Sequence, residues 1–167
     1  TMRSVGCVLL TIKTDRGISG EGYLFSLNAK NIKIYHERLS KVASLLIGQD
    51  PLLLPSILKK INHLIDSIGR DSISIAALST LDTALWDING KANNLPLHRL
   101  FGIHHTKVKT YASGGLWLSQ SIDSIINEAH EFLRQGFLAM KIRVGSGNNS
   151  VDIERVRELR KAIGQEV

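Results

Sequence analysis

Gly136-Phe137-Leu138-Ala139-Met140-Lys141-Ile142-Arg143-Val144-Gly145 is an apolar strand pattern with two cations in its second half. Side chains alternate across a strand, so Leu138, Met140, Ile142 and Val144 share one face while Ala139, Lys141 and Arg143 share the other. Both charges therefore point the same way. A strand that is apolar on one face, flanked by helical patterns and cationic at its far end is what a parallel α/β sheet shows where it meets a substrate. A solvated strand end is the competing reading.

On either side of this strand the pattern is regular. Lys107 to Ala112 reads as a strand, and Ile122 to Arg134 as a helix with Ile122, Ile125, Ile126, Ala129, Phe132 and Leu133 inward. After Gly136 to Arg143, Ser150 caps a helix with Asp152 and Glu154 in its first turn, where they complement the dipole, and Gly164 ends it. This is βαβα. Two such units cannot close a barrel, and two parallel strands alone leave their edges and much apolar surface bare. The chain stops at Val167 where a third strand is expected, so an incomplete domain is expected.

The grammar before Gly102 differs. Val5 to Lys13 and Ile18 to Phe25, joined by Thr14-Asp15-Arg16-Gly17, read as an antiparallel hairpin. Three helices follow. One runs from about Ala29 to Ile47 with Ile32, Tyr35, Leu39, Val42 and Leu46 on one stripe, and it stops at Gly48. In the next, Leu54, Ile57, Leu58, Ile61, Leu64, Ile65 and Ile68 recur at helical steps before Gly69. The third spans about Ser74 to Asn93. A hairpin followed by a helical bundle is an α+β unit.

Bulk properties narrow the class. The 167 residues are 43% hydrophobic, enough for one substantial core or two small ones. The longest apolar runs, Leu45-Leu46-Ile47 and Leu52-Leu53-Leu54, are broken by Gly48, Asp50 and Pro51, so no membrane span is expected. Thr1-Met2-Arg3-Ser4 lead straight into a strand pattern with no h-region, so no signal peptide is expected either. The lone Cys7 fits a reducing compartment, and a cytoplasmic location is expected. A net charge of +6 raises nucleic-acid binding. Arg155, Arg157, Arg160 and Lys161, however, interleave with Ile153, Val156, Leu159 and Ile163, which reads as the solvated side of an amphipathic helix with no aromatic stacking set beside it.

The third helix carries Ala77-Leu78-Ser79-Thr80-Leu81-Asp82-Thr83-Ala84-Leu85-Trp86-Asp87-Ile88-Asn89-Gly90-Lys91, followed by Pro96-Leu97-His98-Arg99-Leu100-Phe101-Gly102. This string resembles a signature of the mandelate racemase and muconate lactonizing enzyme family of the enolase superfamily, with Thr80 where a smaller residue is usual. The resemblance extends from Gly20-Glu21-Gly22-Tyr23-Leu24-Phe25 to Lys141-Ile142-Arg143 and is nearest the mandelate racemase branch. It implies an α+β capping domain, residues 1–103, followed over residues 104–167 by the first two βα units of a TIM-like (β/α)7β barrel. It also implies that one further strand and a mobile loop are missing ahead of Thr1.

The chemistry implied by the resemblance is removal of a proton from the carbon beside a carboxylate, with the doubly charged intermediate stabilised by magnesium and nearby cations. In the racemase branch the base is often the second lysine of a Lys-x-Lys pair on the second barrel strand. Lys141 holds the first place here, but Arg143 holds the second. A guanidinium is a poor base at neutral pH. By resemblance Lys141 binds the substrate carboxylate, and Arg143 is an electrostatic partner offering a planar fork of donors. Proton abstraction then falls to a residue beyond Val167, such as a histidine of a late barrel strand. One-base dehydration of a sugar acid is thereby favoured over two-base racemisation.

Other contacts follow from the same resemblance. Ser113, in Tyr111-Ala112-Ser113-Gly114-Gly115, stands where the family places a hydroxyl near the substrate carboxylate; a loop serine bonding its own backbone is the alternative. Tyr23, Phe25 and Ser26 fall in a cap loop that helps set specificity, although aromatics at a hairpin end also serve as core. The magnesium carboxylates come from the third to fifth barrel strands, so no metal ligand is expected in this chain. His104-His105 lack a cluster at metal spacing, Gly145-Ser146-Gly147 lacks the rest of a phosphate loop, and Asp82 and Asp87 read as structural. The implied function is a magnesium-dependent lyase or isomerase acting on a small carboxylate such as a sugar acid, and a homo-oligomer by family habit. The alternatives are an inert fragment, a partner-dependent module or a basic nucleic-acid-binding module.

Overall fold

The structure, a computed structural model, describes residues 4–167, the side chain of Ile68 excepted. The leader reading at Thr1-Met2-Arg3 and the place of Ile68 on its stripe lie outside the described residues. The chain divides into two compact units, one ending at His104 and the other beginning at His105.

The first unit opens with β1 (Gly6–Lys13) and β2 (Ser19–Ser26), paired antiparallel from Gly6 opposite Ser26 to Lys13 opposite Ser19. The turn closes because Thr14 N–H donates to Ile18 O at 2.9 Å while Thr14 Oγ1 accepts from Ile18 N–H at 3.1 Å, and Gly17 takes the left-handed φ of 77°. Val8 and Leu24 are buried on the inner face.

Of three long helices, α1 (Ile32–Ala43) and α3 (Ser72–Ala92) pack on that face, and α2 (Leu54–Ile68) packs against α3. Leu39, Val42, Leu54, Ile57, Ile61, Ile65, Ala77, Leu81 and Leu85 form one core with Val8 and Leu24. Each large aliphatic side chain so buried contributes roughly 1.5–3 kcal/mol against exposure. The first helix is shorter than its stripe suggests, because 3-10 turns at Ala29–Asn31 and Ser44–Leu46 flank α1. The third begins before Ser74, because Asp71 caps it: its Oδ1 accepts Ser74 N–H at 2.7 Å and its Oδ2 accepts the Ser74 hydroxyl at 2.9 Å. These bonds hold the Asp71 carboxyl below its ordinary pKa. A single turn, α4 (Leu97–Leu100), follows Pro96.

What seats α3 on the hairpin is the Gly20-x-Gly22 pair. A Cβ on Gly20 would collide with the Ala84 carbonyl oxygen, and one on Gly22 with that of Thr80. Two glycines two apart on a strand thus meet two carbonyls four apart on a helix. Along the same contact, Asp87 Oδ2 accepts the Glu21 backbone N–H at 3.0 Å and the Lys91 ammonium at 2.7 Å, while Lys91 Nζ donates to Ser19 O at 2.8 Å. The signature charges therefore complete the free edge of β2.

The second unit contains α5 (Ile122–Arg134) and α6 (Asn149–Ile163), with Leu116, Ile125, Ala129 and Leu159 as its buried core. The strands expected over Lys107 to Ala112 and Gly136 to Arg143 do not form a ladder. They are extended segments joined by one parallel bridge, Ala112 with Met140. Residues 107–111 are exposed, and a lone parallel pair has too few hydrogen bonds and too little covered surface to extend. Met140 and Ile142 pack against the core, but Leu138 and Val144, on the same expected face, are exposed.

Three further readings are corrected on α6. Its cap is Asn148, whose Oδ1 accepts from Ser150 N–H at 3.0 Å, and Asp152 is the only acid in its first turn. Arg155 is not on a solvated face. It is 5% exposed, whereas Ile153 and Val156 are exposed, because its guanidinium finds backbone carbonyls inside the unit.

Candidate functional site

The bridge brings three of the expected site residues together. Ala112 N–H donates to Ala139 O and Lys141 N–H donates to Ala112 O, both at 2.9 Å, and Arg143 N–H donates to Leu116 O at 3.1 Å. The segment 139–143 is thus laid along 112–116. Ala112 and Met140 face each other across the bridge, so by strand alternation Ser113 and Lys141, one residue on, project to the opposite face, with Arg143 two beyond Lys141. Ser113, Lys141 and Arg143 are all half-buried. Among the described residues neither cation is paired with a carboxylate, and the Ser113 hydroxyl makes no bond to its own loop. Two cations and a hydroxyl on one face can receive a carboxylate.

Arg143 has a partner of another kind. Its guanidinium carbon lies over the Trp117 ring, 5.0 Å from the centroid, while its Nε is buried without a hydrogen-bond acceptor. Trp117 is held by its backbone: its N–H donates to Gln120 Oε1 at 2.5 Å and its carbonyl accepts from Arg155 Nη2 at 3.0 Å. Arg155 Nη1 also donates to Gln120 O at 2.6 Å. Glu128 Oε2 accepts Leu116 N–H at 2.7 Å and Gln120 Nε2 at 3.0 Å. Leu116, fully buried, sits at the left-handed φ of 48°, a conformation that persists where the surroundings over-determine it.

Neighbouring Gly115 has a φ of 115°, and a Cβ there would lie 2.6 Å from Glu128 Oε1. Trp117, Gln120, Glu128 and Arg155 are not marked by any spacing rule. The available signal is local: an aromatic two residues after a Gly-Gly pair at the end of an extended segment, where a chain must turn sharply.

The remaining expected residues belong to the first unit. Tyr23 and Phe25 are 66% and 58% exposed on the outer face of the hairpin, opposite Leu9 and Cys7, so they are not core. Ser26 is buried, and its hydroxyl donates to Asn28 O at 2.9 Å and accepts Asn28 N–H at 3.2 Å. It shapes the turn after β2. Asp82 is half-buried with Oδ1 unpartnered; burial raises its carboxyl above the ordinary pKa, and a hydrogen bond from Trp86 acts against that rise.

Among the described residues no three acidic, histidine or cysteine side chains come together at metal-binding distance. His104 and His105 are exposed. No described helix is long and apolar enough to cross a membrane.

Comparison with known proteins shows what the chain is similar to. Residues 1–102 match the family described as mandelate racemase / muconate lactonizing enzyme, N-terminal domain. The chain is 30% identical over 165 residues to the L-talarate/galactarate dehydratase of Salmonella typhimurium, covering 99% of this chain and 41% of that protein. It is 30% identical over 162 residues to the arabinonate dehydratase of Saccharolobus solfataricus, covering 96% and 43%. The crystal structure of the Salmonella dehydratase with magnesium and L-lyxarohydroxamate superposes with a TM-score of 0.86 at 29% identity, over 96% of this chain and 41% of that one. Epimerases and cycloisomerases are also among the relatives. The chain spans less than half the length of these relatives and corresponds to their N-terminal part.

Proposed function

The chain belongs to the mandelate racemase / muconate lactonizing enzyme family of the enolase superfamily, and from that premise we propose that it serves α-proton abstraction from a hydroxy acid, with dehydration as the outcome. Intact members of the family are enzymes, either lyases or isomerases. In this reading residues 1–103 are the cap, and residues 104–167 supply the first two βα units of a barrel, completed by strands outside those described. The proposed setting is a homo-oligomer in the cytoplasm, where an exposed Cys7 stays reduced.

One observation carries the reading: Lys141 and Arg143 lie on one extended segment with Ser113 across the bridge, half-buried and free of protein carboxylates. Lys141 binds the substrate carboxylate as a compact charge, with the Ser113 hydroxyl beside it. Arg143 presents in-plane donors to a substrate oxygen. Since a guanidinium does not accept the α-proton, the base lies elsewhere, and a single base favours elimination over inversion. By the same family resemblance Tyr23, Phe25 and Ser26 of the first unit are the candidates for setting substrate specificity, and Tyr23 and Phe25 are exposed.

Magnesium accompanies such sites in the solved relatives. Among the described residues there is no cluster of three His, Cys, Asp or Glu side chains that would hold it. The same observation favours a second reading, in which the chain is inert alone and works only with a partner chain.

Turnover of a panel of sugar acids with magnesium in deuterated buffer tests the proposal. Keto-acid product formed from only one configuration at the α-carbon, with solvent deuterium at the carbon that lost its hydroxyl, supports one-base dehydration. Equal α-exchange from both enantiomers overturns it in favour of racemisation. No turnover by this chain, restored on adding a partner polypeptide, supports the second reading.

A further inference from the structure

We propose that Trp117 is a positioning residue for Arg143, and that buried Arg155 holds Trp117 in place to do it; the proposal rests on the reading of Arg143 as a ligand of substrate oxygen. A long cation meant to meet an anion must be held without being neutralised. A protein carboxylate would fix Arg143 but occupy the donors intended for the ligand. A ring face attracts the guanidinium through its quadrupole and leaves its carboxylate partnership open.

The structure carries each part of this device. Arg143 lies 5.0 Å over the Trp117 ring, and its Nε is buried with no acceptor, so the polar groups left to it are the two terminal nitrogens. The Trp117 side chain is 46% exposed and contributes little to the core. Its backbone, by contrast, is tied on both sides, by Gln120 Oε1 at the N–H and by Arg155 Nη2 at the carbonyl. Arg155 is 5% exposed and reaches 38 residues back to make that bond. Leu116, strained at φ 48°, accepts the Arg143 N–H and is tied to Glu128. The backbone that aims the ring and the backbone that carries Arg143 are therefore one hydrogen-bonded unit. A loop aromatic with no partner task would need neither the strain nor a buried arginine beneath it.

The test uses the full chain, isotope-labelled, by NMR, with Arg143→Lys to assign the Arg143 Nε–H resonance. In the native chain the Arg143 Hδ protons are expected upfield of their random-coil positions from the Trp117 ring current; random-coil positions overturn the proposal without any variant. Nε–H exchange with solvent is expected to be roughly tenfold faster in Trp117→Leu than in the native chain, and restored in Trp117→Phe. Exchange in Trp117→Leu within twofold of native, with Ile125, Ala129 and Leu159 amide shifts unchanged, overturns it.

Tartronate is the ligand probe. It is expected to shift the Arg143 resonances in the native chain and to bind about fivefold more weakly to Trp117→Leu but not to Trp117→Phe. If tartronate leaves Arg143 unmoved in the native chain, the substrate-ligand reading of Arg143 fails, while the ring-current and exchange results still decide the role of Trp117.

Discussion

Asp87 on α3 accepts the backbone N–H of Glu21 on β2 at 3.0 Å, across 66 residues of sequence. The same oxygen takes the Lys91 ammonium at 2.7 Å, and Lys91 reaches the Ser19 carbonyl. A helix thereby hydrogen-bonds to a strand edge as a neighbouring strand would. Asp87→Ala is expected to lower stability by about 1–2 kcal/mol, since it leaves the Glu21 edge N–H without its acceptor and removes one of the two partners of the Lys91 ammonium. Asp87→Asn keeps an acceptor for Glu21 and is expected to cost about half as much. Urea denaturation of both variants checks the order.

The glycines of β2 make the sharper prediction. The atom that a Gly22 Cβ would strike hardest is the Thr80 carbonyl oxygen, which is backbone; the Thr80 Cγ2, at 3.2 Å, is a lesser contact. Gly22→Ala is therefore expected to cost about 3 kcal/mol or prevent the first unit from folding, and Thr80→Ala is expected not to rescue it. Gly48, at φ 72° with nothing within 4 Å, provides the control: Gly48→Ala is expected to cost only about 1 kcal/mol, from backbone conformation alone. Rescue of Gly22→Ala by Thr80→Ala in thermal melts would show that the helix can lift away.

Leu116 combines complete burial with a left-handed backbone. Truncation to Ala is expected to cost about 2–4 kcal/mol through the lost side chain. At ordinary positions Gly is worse than Ala. Here Leu116→Gly is expected to be about 1 kcal/mol better than Leu116→Ala, because only the glycine is relieved of the αL penalty. Equal or reversed stabilities in denaturant titrations would count against the strain.

Acid acts on the loop before α6. Asp152 accepts Gly145 N–H at 2.8 Å and Ser146 N–H at 3.1 Å, and the Gly145 bond is the largest cause holding its carboxyl below the ordinary value. A depressed folded-state pKa means that the carboxylate binds protons less readily than in the unfolded chain. Its stabilisation is present above the unfolded value and is lost as pH falls through the folded one. Amide exchange at Gly145 and Ser146 is expected to become less protected, relative to its intrinsic rate, through that acid range. In Asp152→Asn the pH dependence is expected to vanish.

Asp82 has the opposite sign. Burial raises its carboxyl, so its contribution favours the fold below the unfolded pKa and is lost as pH rises through the folded one. Asp82→Asn is expected to raise the unfolding midpoint at neutral pH and to leave it unraised in acid, which a pair of melts resolves.

Most of the first unit was legible from residue order. The stripes Leu39-Val42 and Ile57-Ile61-Ile65 lie in the core, joined there by Ala77, Leu81 and Leu85 of the third helix, because a helix repeats its buried positions every three to four residues whatever lies opposite. The Thr14–Gly17 turn and the signature on α3 were legible for the same local reason. Ser150 was mistaken for the cap because Asn148 and Ser150 are both capping residues two apart, and only the path of the entering chain selects between them. The strand patterns at 107–112 and 136–143 are legible as extended chain, but a parallel ladder needs a partner held alongside over several residues, and no tight turn supplies that here as it does for the hairpin.

Sequence alone determined the presence of the helices, the hairpin and the family, and set Lys141 and Arg143 two apart on one extended segment, because periodicity and spacing are properties of neighbouring residues. Tertiary structure alone decided that Gly20 and Gly22 exist to admit α3, that Arg155 points inward, and that Arg143 stands over Trp117. Those facts depend on pairs of residues some 26 to 64 positions apart, whose meeting is set by packing and by the demand that buried polar groups find partners, and no local pattern encodes such a meeting.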